Sequence, residues 1–141
     1  MNGEAIEKRL FDLAMSFNDA HLHVDGGVYY RELRPMRKNS SSYKEDIIVA
    51  FKTGNGEDIQ SGTCLLNVYI PDIQANSGMF YKNKERCIEV ANILEQFPKF
   101  ANENADIYFK QDGMIYTISE ESIKQHFVSL QMNFKVLNEN Y

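Results

Sequence analysis

Cysteine is scarce in this chain of 141 residues. Cys64 and Cys87 are too few for a disulfide framework and lack the CxxC spacing of a zinc site, so two free thiols, buried or half-buried in a reducing compartment, are expected. No apolar run approaches the roughly 18 residues that a membrane-spanning helix needs, so no contact with a membrane is expected. The opening segment MNGEAIEKRLFDLAMSF places acids inside its apolar stretch and shows no small-residue cleavage pattern, which argues against a secretory signal. Neither GxSxG nor any Gly-rich phosphate loop occurs, and Gly54-Asn55-Gly56 lacks the Lys and following helix that a phosphate site requires. Internal repeats and low-complexity tracts are missing as well. Bases are outnumbered, fifteen Lys and Arg against twenty Asp and Glu, for a net charge of −5 and a pI near 5.2. That balance argues against nucleic-acid binding through the overall field, and nothing points to sequence-specific recognition. The charge is uneven: residues 1–45 hold seven bases and seven acids, so all of the net negative charge lies in 46–141.

What is present suffices for a packed core: 43% of the residues are apolar and 12% aromatic, in a length that suits one domain over 1–141. Ile6, Leu10, Leu13, Ala14 and Phe17 recur at helical spacing, a pattern that fades at Asn18-Asp19. Val28 to Leu33 reads as a short strand and Asp46 to Lys52 as an apolar strand covered on both faces. Ile59 to Ile70 alternates, with Cys64, Leu66, Val68 and Ile70 on one face. Asn83 to about Phe97 reads as a helix closed by Pro98. Asp106 to Gln111 and Met114 to Ser119 predict a hairpin across Asp112-Gly113. The clearest alternation places His126, Val128, Leu130, Met132, Phe134 and Val136 on one face of a long final strand. Helix, three strands, helix, three strands predicts an α+β domain, a mixed or antiparallel sheet of about five to six strands with two helices packed on it. Exposed loops are expected near 34–45, rich in Ser and bases, and near 71–82.

Candidate chemistry is thin. His21, His23 and Asp25 alternate with apolar residues as metal ligands could, yet no further ligand can be placed beside them, and a histidine at a helix C-terminus is favourable without metal. His126 has no nucleophile motif to partner it, and Glu120-Glu121 point apart on an extended chain. No catalytic residue, metal or cofactor is therefore expected. Arg31, Arg34, Arg37 and Lys38 fall within eight residues and suit contact with an acidic surface. Glu57-Asp58 and Glu120-Glu121, at turns, are the acidic counterparts, and the subunit interface is expected at Arg31, Arg34, Arg37, Lys38, Glu57 and Asp58. The loop from Arg34 to Lys44 is expected to be mobile in an isolated subunit, with Met36 and Tyr43 as apolar anchors on assembly. The competing expectation is a small α+β ligand-binding or regulatory domain with Tyr29, Tyr30, Tyr69, Phe80 and Tyr81 lining a pocket.

The order of elements is similar to that of the tail terminator, or head–tail joining, proteins of long-tailed bacteriophages. The resemblance runs through DIIVAF, the strand SGTCLLNVYIPDI, the helix KERCIEVANILEQF, ADIYFKQDGMIYTIS and KQHFVSLQMNFKVLN, nearly the whole chain. It implies a non-enzymatic virion protein, made in the bacterial cytoplasm, that caps the tail tube as a ring, by expectation a hexamer. Its partners would be copies of itself, the tail tube protein and the head connector. The resemblance transfers no fixed catalytic or binding residue.

Overall fold

A computed structural model of the chain describes residues 1–54, 60–103 and 106–137. Asn2 opens the first helix, α1 (Gly3–Phe17), its side-chain oxygen accepting the Ala5 N–H at 2.8 Å, and Ile6, Leu10, Ala14 and Phe17 are the buried stripe. The helix does not fade at Asn18: it widens into a π-type turn over Asn18–Leu22 and stops at His23, whose φ is +57°. The stretch from His21 to Asp25 is therefore not extended, and its two histidines do not share an edge. The strand β1 (Val28–Tyr30) is shorter than expected, because Arg31–Leu33 coils into a 3₁₀ turn.

Next come β2 (Asp46–Gly54), β3 (Ser61–Pro71) and a small arm, β4 (Ile73–Gln74) paired with β5 (Phe80–Tyr81). The second helix, α2 (Lys84–Leu94), is capped by Asn83. Pro98 does not close it; the chain breaks at Glu95–Gln96, and Pro98 starts a separate helix, α3 (Phe97–Asn102), in the first turn that tolerates a missing N–H. The last strands are β6 (Ile107–Gln111), β7 (Tyr116–Glu120) and β8 (Gln125–Val136).

Six strands make one sheet in the order β1-β2-β3-β8, with β6 and β7 sharing the far edge of β8. β1 runs parallel to β2 and the other pairings are antiparallel, so the sheet is mixed. The hairpin expected across Asp112-Gly113 does not form. β6 pairs with Met132–Val136 and β7 with Gln125–Ser129 in the same direction, as one strand interrupted by a bulge at 112–115. Gly113 supplies the positive φ, +78°, and Gln131 bridges to Asp112 through an Nε2–H to Oδ2 bond of 2.8 Å. The twelve-residue edge of β8 pairs with both pieces, which outweighs the local turn preference.

The helices lie on one face: α1 over β1 and β2, α2 over β3 and β8, α3 over β6. Between the layers sit Ile6, Leu10, Phe17, Ile47, Val49, Leu66, Val68, Leu94, Phe109, Leu130 and Met132, all buried in one cluster. The chain is thus a single α+β domain, and among the described residues no α-helix packs on the opposite face of the sheet. Asn102 of α3 also guards the edge of β6: its amide donates to Phe109 O at 2.9 Å and accepts from Phe109 N–H at 2.8 Å, in place of a neighbouring strand.

Candidate assembly interface

Two adjacent acids at the start of β2, Glu45 and Asp46, point to opposite faces because successive strand residues alternate. Glu45 faces the helix layer and takes a two-pronged contact from Arg86 of α2, Nε and Nη2 each at 2.8 Å. Arg86 also donates to Leu22 O at 3.0 Å, tying α2 to the end of α1, and its hydrogen bond to Glu45 holds its pKa above the ordinary value. Asp46 faces the open side and is 0% exposed.

A buried carboxylate needs donors on every side. Gly27 N–H donates to Oδ1 at 2.9 Å, Arg34 Nε to Oδ2 at 3.0 Å, and Arg37 through Nε to Oδ2 at 3.1 Å and Nη2 to Oδ1 at 3.3 Å. Gly26 leaves the space: a Cβ there would sit 1.9 Å from Asp46 Oδ1 and 2.2 Å from Glu45 O. Arg34 continues through Nη2 to Gln125 Oε1 at 2.6 Å, and its guanidinium lies 4.2 Å above the Tyr69 ring. Gln125 donates onward to Arg37 O at 3.4 Å. Arg37 adopts φ +54°, in the left-handed region. Burial lowers the pKa of Arg34 against the opposing pull of Asp46, whereas the hydrogen bond to Asp46 is the chief cause that raises Arg37.

This corrects the expectation of an unanchored loop. Arg34 and Arg37, with side chains only 9% and 14% exposed, are locked to Asp46 within the chain and do not project toward another subunit's acids. A carboxylate buried at the head of an apolar strand is the residue that sequence reasoning passed over; two arginines nine and twelve positions upstream were the signal. Arg31 and Lys38 are exposed on either side of the lock. Glu57 and Asp58 lie outside the described residues. Glu120 ends β7 half-buried, and Glu121 begins an exposed 3₁₀ turn. The two expected loops meet, Tyr43 packing edge-on to Phe80 of the arm at 6.4 Å between ring centres.

The remaining candidates fall elsewhere. His21 packs on Phe17 and Phe100, with ring centres at 5.0 and 5.7 Å, and His23 is exposed. His126 Nδ1 lies 2.6 Å from Asp72 Oδ1 where the arm leaves the sheet, in an open cleft of about 440 Å³ shared with Phe80, Tyr81, Lys82 and Lys124. Among the described residues no group of three or more His, Cys, Asp or Glu is placed to hold a metal ion. The five rings of the pocket reading do not converge: Tyr30 stacks on Phe11 of the helix layer at 4.8 Å, while Tyr69 lies tilted against Phe127 of the neighbouring strand at 4.9 Å. No described helix is long and apolar enough to cross a membrane. Comparison with protein-family models, with curated proteins and with solved structures gives no match.

Proposed function

We propose that the chain is a structural virion protein of a long-tailed bacteriophage, one that caps the tail tube as a ring and offers the surface on which the head connector docks. The observation that carries the proposal is the order of elements, helix, strand, long segment, two long strands, arm, helix and three further strands, folded as one two-layer domain. A ring subunit needs two different faces for head-to-tail contact and a rigid frame between them. The open sheet face and the helix layer supply unlike faces, and the Glu45 and Asp46 locks tie the loops and α2 to the frame.

In this reading the chain has no catalytic residue and no cofactor; its work is geometric, occupying the place where the next tube subunit would add. Its partners are copies of itself, in a ring of six, the tube protein and the connector, in the virion at the head–tail junction. Within the basic segment Arg31 and Lys38 are exposed and able to meet a partner, while Arg34 and Arg37 position that segment. The test is to delete the gene from its phage, image the tails and titrate infectious particles, then complement with the wild-type chain. Tails of uncontrolled length without heads, rescued by the wild type, are expected. Full titre without the gene refutes the proposal.

A further inference from the structure

We infer that the open face of the sheet is the seat of a second copy of this chain, which docks there through the acidic outer ridge of α2. The inference rests on the ring reading and names the surfaces that the ring would use.

Alternation fixes what the open face carries. Ile107, Phe109, Phe134 and Val136 are buried toward the helices, so Tyr108, Lys110, Asn133 and Lys135 point the other way. Lys52 joins them, its ammonium reaching Gln131 Oε1 at 3.1 Å on the same face. The Arg34–Arg37 segment covers the end of this face at Asp46, Tyr69 and Gln125. Lys52, Lys110 and Lys135 at the other end are exposed, with Tyr108 beside them at 48%. Asp112, the described acid at the bulge, is engaged by Gln131. A chain of net charge −5 thus gathers three lysines on one patch that, among the described residues, no α-helix covers.

The opposite charge lies on the helix layer, and at the β6 edge the two surfaces approach, Glu95 and Glu103 lining one open cleft with Tyr108 and Lys110. Glu85, Asn92 and Glu95, with Glu89 paired to Arg86 and Lys84 exposed at the helix start, surround Ile88, which is 53% exposed and suits contact with an apolar ring such as Tyr108. The lengths agree. Glu85 to Glu95 is ten residues of helix, about 15 Å at 1.5 Å per residue. Lys52 on β2 to Lys110 on β6 spans three strand spacings, about 14 Å at 4.8 Å each. Because ridge and patch are different surfaces that meet only at the β6 edge, one contact leaves a free ridge and a free patch, so addition continues head to tail. Like patches repel, which disfavours a closed two-fold dimer.

The experiment uses the full chain and two variants, Lys110→Glu/Lys135→Glu with an acidic patch, and Glu85→Lys/Glu95→Lys with a basic ridge. Mass in solution is followed by sedimentation at rising concentration, in low and high salt, with circular dichroism to check folding. The wild type is expected to self-associate, more weakly in high salt. Each variant alone faces like charge with like charge and is expected to associate about tenfold more weakly or worse. Mixed one to one, the variants restore both contacts and are expected to assemble. A wild type that stays monomeric, a single variant that assembles like the wild type, or a mixture that fails to assemble overturns the inference. So does binding of oligo-dT to the patch in place of self-association, which would assign the face to nucleic acid. The phage experiment reads tail completion separately, so failure here leaves that result standing.

Discussion

Removing the Asp46 carboxylate tests the central lock. Asp46→Ala would leave two guanidiniums, 9% and 14% exposed, and the Gly27 N–H without their acceptor. Taking one partner from a buried ion pair costs about 3–5 kcal/mol, because the remaining charge stays desolvated. The hydrogen bonds to Asp46 are each of the charged kind, about 1.5–3 kcal/mol singly but not additive, so the upper part of that range is expected. Against a typical total of about 5–15 kcal/mol the loss is large, roughly 10–20 °C in melting temperature for a chain of this size. The chain has no Trp, so the assay is urea or thermal unfolding followed by circular dichroism and tyrosine fluorescence. Arg34→Ala and Arg37→Ala, combined with Asp46→Ala in double-mutant cycles, apportion the loss. Arg34 is expected to couple to Asp46 the more strongly, since it also holds Gln125 and stacks on Tyr69. A loss below about 1 kcal/mol for Asp46→Ala, with no coupling to either arginine, would refute the lock. By the same logic, reversing Arg34 and Arg37 together is expected to unfold the subunit, so within this segment a partner contact is tested at Arg31 and Lys38.

Three further outcomes are expected. Gly26→Ala places a methyl 1.9 Å from Asp46 Oδ1 and should lose about 1–3 kcal/mol in urea unfolding; an unchanged midpoint would show that the β1–β2 junction is looser than described. Asn102→Ala uncovers the N–H and C=O of Phe109, with an expected loss of about 1–2 kcal/mol and faster aggregation by light scattering; unchanged stability and scattering would deny Asn102 its role at the edge. Burial pushes the Cys64 thiol up to about 12, so the native state keeps a proton that the unfolded chain releases near its ordinary value of 9.0. That contribution to stability is complete below pH 9 and declines toward pH 12, and Cys64→Ala should flatten the decline; an identical pH profile, or prompt thiol labelling of Cys64 without denaturant, contradicts it.

Some of this architecture was legible because a single physical demand writes it into neighbouring residues. Val128, Leu130, Met132, Phe134 and Val136 alternate because one face of β8 is buried, and Ile6, Leu10, Ala14 and Phe17 recur because one side of α1 is. Other features depend on partners far along the chain. Asp112-Gly113 offers the same positive φ to a hairpin or to a bulge, and the choice falls to β8, whose edge reaches both β6 and β7. Pro98 ends a helix or starts one with equal ease, and the break at Glu95–Gln96 decides.

The basic segment is the sharpest case. Its composition has no apolar stripe, and from that a free loop is the natural reading, yet an arginine fork can anchor a chain as firmly as a leucine if a buried carboxylate waits for it. Arg31, Arg34, Arg37 and Lys38 are alike in sequence; what separates two locked bases from two exposed ones is the position of Asp46 on the open face of β2 and of Gly26 beside it. Asp46 leads an apolar strand and so looks like its solvent end. It becomes legible as a buried hub only when the two arginines before it are counted as its donors, a pairing over nine and twelve residues that no local pattern encodes. The bases that such a hub consumes are lost to any partner, so the basic surface this segment presents is set by the lock and not by the charge count.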